Sequence, residues 1–145
     1  MTGQSIFDLA IRLMDEQNES TGNTATSDTK VYALRSVDLI NTLGQECYTL
    51  SDTCPETENG KRPVFPRIAA LSNPVDLDDY VAGVILPYGL VYLLLQEENP
   101  EMANTCLQRF QELKAEARRL MPPASFSDIE NLYGGLEHGQ YSAWL

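Results

Sequence analysis

From Val81 to Leu95 the chain carries no charged side chain and no amide or hydroxyl apart from two tyrosines. No other feature constrains the fold as much. A transmembrane helix needs roughly 20 such residues. This run is shorter, it contains Gly83, Pro87 and Gly89, and it has no basic flank, because no Lys or Arg lies between Ile68 and Gln108. It therefore reads as a helix embedded in protein. A helix that is apolar on every side must be covered on every side. In a chain of 145 residues, the size of one ordinary domain, two arrangements satisfy that demand. Either the run is the central element of the domain, or part of its surface is covered by a neighbouring subunit. The sequence leaves both open.

The rest of the chain supplies three more helices. Ile6, Leu9, Ala10 and Leu13, widened by Phe7 and Met14, recur at helical spacing and predict a first helix from about Gly3 to Gln17, with Thr2 as its N-cap. Asn18 to Asp28 is rich in Ser, Thr, Asn and Gly and reads as a mobile loop. A second helix is expected from about Asp28 to Leu50, its apolar stripe formed by Ala33, Val37, Ile40, Leu43, Cys47 and Leu50. Pro55, Pro63, Pro66 and Pro74 forbid a helix between Ser51 and Pro74. That long irregular segment holds Val64-Phe65 and Arg67 to Leu71, which suit short strands or an extended arm.

The third helix should open at Asp76 as N-cap, run to about Glu98, and bend at Pro87. Asn99-Pro100-Glu101 restarts the chain as a fourth helix, with a cap, a proline at the first helical position and a carboxylate on the positive end of the dipole. Its stripe is Met102, Cys106, Phe110, Leu113, Ala117 and Leu120, and Pro122-Pro123 ends it. The predicted fold class is all-α. It is a small four-helix domain over residues 1–121, with a long irregular loop between helices 2 and 3, followed by an extended C-terminal tail over 122–145.

Charge excludes several functions. The formal net charge is −11, from 21 acidic and 10 basic side chains. Gripping nucleic acid through phosphates, or docking on an anionic membrane, needs clustered Lys and Arg. Acidity serves solubility first, and it also suits a surface that sits near DNA without adhering to it. Met1 to Ser5 has neither a basic region nor a long apolar run, so no signal peptide is expected.

Catalytic and metal chemistry find little to work with. Cys47, Cys54 and Cys106 form no CxxC, and the one histidine is His138. No zinc site, no cofactor and no metal requirement are expected from that set. Asp76, Asp78 and Asp79 do not follow the spacing of a calcium loop and read as helix-capping residues. A nucleophile–histidine pair is not expected with His138 in the tail. Gly134, Gly135 and Gly139 lack the Lys-Ser/Thr pair of a phosphate loop. Tyr80, Tyr88 and Tyr92 read as core packing with hydroxyls at the rim. The expected assignment is no enzyme and no catalytic residue.

The tail is unusual in combining aromatic side chains with glycines and no Lys or Arg. Ile129, Tyr133, Tyr141 and Trp144 are residue types that anchor interfaces. They are the candidate partner-binding residues, on a segment expected to become ordered against a partner.

Four blocks carry a resemblance. They are Thr2 to Ala10 (TGQSIFDLA), Val75-Asp76-Leu77-Asp78-Asp79 leading into Leu86-Pro87-Tyr88-Gly89-Leu90, the junction Glu97-Glu98-Asn99-Pro100-Glu101, and Asp128-Ile129-Glu130-Asn131-Leu132-Tyr133-Gly134-Gly135. In this order and spacing the chain resembles the head–tail connector (head-completion or adaptor) proteins of tailed bacteriophages and prophages. The resemblance implies a structural subunit of a ring that joins the portal to the tail and extends the DNA channel. Its partners would be the portal protein, a tail-completion protein and copies of itself. It would have no enzymatic activity, no small-molecule substrate and no sequence-specific contact with DNA. It would be found at the head–tail junction of the virion, and in the host cytoplasm before assembly. The isolated subunit is expected to be a monomer or a weak oligomer, since like-charged copies repel each other. A reading from another class is a free-standing acidic helical binding or regulatory protein that occupies a basic surface of a partner.

Overall fold

The structure is a computed structural model that describes residues 1–16, 18–57 and 59–120. Among these the protein is all-helical. Four helices follow one another: α1 (Gly3–Leu13), α2 (Lys30–Cys47, extended by a 3-10 turn Tyr48–Leu50), α3 (Leu86–Leu95, preceded by a π turn Val81–Ile85) and α4 (Pro100–Leu120). Among the described residues the one β-type pairing is an isolated antiparallel bridge between Thr2 and Pro74.

The apolar run is the central element. α1, α2 and α4 all pack on α3, and α1 and α4 also pack on its π turn. Val81, Ala82, Ile85, Leu86, Leu90 and Val91 are fully buried. Of the two arrangements the sequence left open, burial within the monomer holds for most of this helix. Gly89 makes the closeness of approach possible. A Cβ there would lie 2.9 Å from Leu43 of α2 and 2.9 Å from Phe110 of α4, so both neighbours close over a missing side chain.

The expected bend at Pro87 takes a definite form. The Leu86 N–H bonds to the Val81 carbonyl, five residues back, instead of four. One extra residue in the turn just before Pro87 absorbs the clash that a proline ring imposes on the preceding turn. The helix N-cap is Asp78, and the expected Asp76 is displaced from that role. Asp78 Oδ1 accepts from the Val81 N–H at 2.8 Å, while Asp76 Oδ2 accepts from the Tyr48 hydroxyl at 3.0 Å.

The other helix ends are set by local chemistry. Thr2 caps α1, its side chain accepting from the Ser5 N–H. α1 stops earlier than its apolar pattern suggests. Asp15 takes a left-handed conformation (φ 57°), with Asp15 N–H to Arg12 O and Glu16 N–H to Ile11 O closing the turn. The segment read as a mobile loop is tied down by hydroxyls. Thr26 and Thr29 exchange reciprocal backbone-to-side-chain bonds of 2.9 and 3.2 Å. Buried Thr29 also donates to Thr24 O, and Thr24 donates to Asp8. Asn99 caps α4 as expected, accepting from the Met102 N–H at 3.2 Å.

The segment between α2 and α3 contains no strand among the described residues. It is an extended arm laid back on α2 and held by two side-chain amides one turn apart. Gln45 accepts from the Phe65 N–H and donates to Pro63 O. Asn41 accepts from the Ile68 N–H and donates to Ile68 O. Each amide thus pairs with backbone as a neighbouring strand would. Phe65 and Ile68 are buried by this arrangement. Phe65 lies over Gly44 and meets Tyr48 edge-on, with ring centroids 5.5 Å apart.

α4 buries a residue absent from its expected stripe. Lys114 is 8 % exposed, with Nζ 2.5 Å from Glu46 Oε1 and 4.9 Å from the centre of the Phe110 ring. Leu120, counted as apolar stripe, is instead exposed. The cost of taking the Lys114 ammonium out of water has to be offset by the half-exposed Glu46 carboxylate and the Phe110 ring. Lys114→Met, which keeps the stem against Phe110 and frees the half-exposed Glu46 to hydrate, is expected to change unfolding free energy by less than about 1 kcal/mol in urea titration.

Candidate interaction surfaces

The three acidic residues before α3 go to three different partners. Asp76 receives the Tyr48 hydroxyl, Asp78 receives Val81 N–H and Asp52 N–H, and Asp79 lies 3.6 Å from the amino group of Met1. Together with Thr53 Oγ1 on Asp76 O and Ser51 Oγ accepting from Asp78 N–H, they fasten the end of α2 to the start of the central helix. That is a capping and stapling role. Among the described residues no three His, Cys, Asp or Glu side chains converge in a metal-binding group. No described helix is long and apolar enough to cross a membrane. His138 and the candidate residues Ile129, Tyr133, Tyr141 and Trp144 lie outside the described residues, as does the whole of the tail.

The cysteines are free and placed for packing. Burial pushes the Cys47 thiol up to about 12, against an opposing pull from the Lys114 cation. Burial also raises Cys106, and it raises Cys54 with help from Asp76. Cys47 and Cys106 are buried, whereas Cys54 is partly open. In native protein near pH 8, Ellman's reagent is expected to titrate Cys54 alone, with Cys47 and Cys106 reacting only after denaturation. Fast reaction of Cys47 would mean that α2 and α4 do not close over it. Tyr32 behaves similarly. Its hydrogen bond to Glu98, with burial second, raises the phenol to about 12. A raised pKa favours the protonated fold, so its stabilisation is intact below about 10 and fades between about 10 and 12.

Among the described residues, Val64 on the arm and Leu120 at the end of α4 are exposed singly, and two further apolar places lie on helix faces. The first follows from the absence of a polar face on residues 81–95. Tyr80, Val84 and Tyr88 recur every four residues along the central helix. Tyr80 and Val84 are 41 and 39 % exposed. Beside them runs α1, whose buried face is Ile6, Phe7, Ala10 and Ile11. Leu9 and Leu13 fall just outside that face. Leu9, Arg12 and Leu13 on one wall and Val84, Pro87 and Tyr88 on the other enclose a groove of about 350 Å³. Among the described residues lining it, Arg12 is the only charged one.

The second apolar place is the outer side of α2, where Val31 and Leu34 are 62 and 78 % exposed. It shares no residue with the groove. Sequence periodicity missed both surfaces in detail, because it reports which face is most apolar and not whether a second apolar face remains uncovered. The signal that was available for the groove is the one noted first, a helix with no polar side. Tyr88 and Tyr92 are half-buried and pack against the core, whereas Tyr80, read with them as core packing, is exposed.

No family model matches the chain, and the searches of curated proteins and of solved structures return no match.

Proposed function

We propose that this chain is a structural subunit of a phage head–tail connector ring, joining the portal to the tail and extending the channel through which DNA passes. The ordered blocks that resemble connector proteins support the reading. The observation that carries it is a closed helical core that still presents two separate apolar surfaces, the α1–α3 groove and the Val31–Leu34 patch. Two unlike surfaces on one subunit suit head-to-tail association, which closes into rings when the rotation permits. The net charge of −11 suits a channel wall that must not hold DNA. Catalysis has no part in the proposal. Its partners are the portal, a tail-completion protein and further copies of the chain.

The test is particle assembly. The genes flanking this one should encode a portal, a major capsid protein and tail-completion proteins. Assembly without the chain should stop at tailless heads that lose their DNA. Tailed, infectious particles formed in its absence would overturn the assignment. The same acidity favours a second reading, an acidic helical protein that occupies a partner's basic surface. That reading requires a tight complex with a DNA-binding protein that dissociates as salt rises.

A further inference from the structure

We infer that the groove between α1 and α3 receives residues 124–145 of a neighbouring copy of this chain. The inference deepens the ring proposal and rests on it. Three observations point to this occupant.

The first is chemistry. The groove walls are aliphatic and aromatic, and the single charge, Arg12, is a cation. Residues 124–145 carry Phe126, Ile129, Leu132, Tyr133, Tyr141 and Trp144, with Asp128, Glu130 and Glu137 and no Lys or Arg. An apolar strip flanked by carboxylates is the complement of an apolar groove flanked by a guanidinium. In a chain of net charge −11 most other surface would repel that strip.

The second is reach. Among the described residues α4 runs to Leu120, and Pro122-Pro123 follow in the sequence. Between Leu120 and the far anchors Tyr141 and Trp144 lie about 20 residues, which extended span roughly 65 Å, whereas a domain of this size is roughly 30–35 Å across. A neighbour's groove is within range.

The third is the symmetry of assembly. Tail into groove is a contact between unlike surfaces, of which each copy has one of each, so it propagates around a ring.

The experiment uses the full-length chain and a fluorescein-labelled peptide of residues 124–145, followed by anisotropy. Saturable binding is expected, because Leu13 and Val84 on the two walls are exposed. Val84→Asp and Leu13→Glu, on opposite walls, should each weaken it by at least about tenfold, a full decade in Kd. Leu34→Asp, on the other apolar patch, should leave it unchanged. If one wall variant loses its helical circular dichroism, the other decides. Absence of binding to the full chain, as when each chain fills its own groove, overturns the inference. So does binding that neither wall variant weakens, or equal binding by a scrambled peptide. Failure here leaves the assembly test untouched, so the fate of the connector reading is read separately.

Discussion

Phe65→Ala is expected to be the most damaging single truncation in the arm. Phe65 is 2 % exposed, edge-on to Tyr48 and seated over Gly44. Removing a ring from such a site costs about 3–5 kcal/mol, through lost burial and the void left behind. In a chain of this size that lowers Tm by roughly 10 °C or more. A second substitution identifies the cause. A Cβ on Gly44 would lie 2.5 Å from the Phe65 ring, so Gly44→Ala alone should force the ring off α2 and destabilise strongly. In the double variant the ring that the new methyl meets is gone. The two effects should therefore fall short of their sum by at least about 1 kcal/mol in denaturant titration. Additive effects would mean that the arm does not lie across Gly44.

The arm also marks the boundary of what the sequence could disclose. Prolines announced that residues 51–74 are not helical, and Val64-Phe65 suggested an extended piece. That this piece belongs to the core depends on Asn41 and Gln45, which bind its backbone across about 20 to 27 residues of chain. An amide on a helix ordinarily faces water, so nothing in a single sequence marks these two as clamps. Lys114 escaped for the same reason. Its burial depends on Glu46, 68 positions away, and a periodicity argument counts any lysine as solvent-facing. Ser36 is another polar residue buried on α2, satisfied by its own helix through Tyr32 O.

Local signals were more legible than long-range ones. The caps at Thr2 and Asn99 need only a few adjacent residues, and both form as read. The capping residue of the third helix moved from Asp76 to Asp78 because Tyr48, distant in sequence, claims Asp76. The π turn was legible only as trouble at Pro87, since one extra residue per turn leaves the apolar pattern of an all-apolar run unchanged. The candidate surface followed the same division. A helix without a polar side signals that something must cover it, but which neighbours cover it, and where they stop, is a property of packing.

Deleting the tail after Pro123 is expected to abolish assembly while leaving the domain folded. The described core draws on residues from Ile6 to Ala117. Its last helix ends at Leu120, whose side chain is 64 % exposed. Residues 1–123 should therefore keep their helical circular dichroism and their melting temperature. The loss should appear in function. Without Ile129, Tyr133, Tyr141 and Trp144 the subunit has no anchor to offer a neighbour or the portal, and truncation of one well-buried aromatic anchor alone can cost about 2 kcal/mol or more in binding. Incorporation into capsids should fall to background, and restoring the tail with Tyr133 and Trp144 both changed to Ala should recover little of it. Ordering a glycine-containing segment carries an entropic cost that these anchors must offset. The opposite outcome has an equally clear signature. If the tail instead seals one end of its own bundle, its removal lowers Tm by roughly 5 °C or more, the effect of losing about 1 kcal/mol in a small domain. In that case residues 122–145 belong to the fold and have to be removed from the list of docking surfaces.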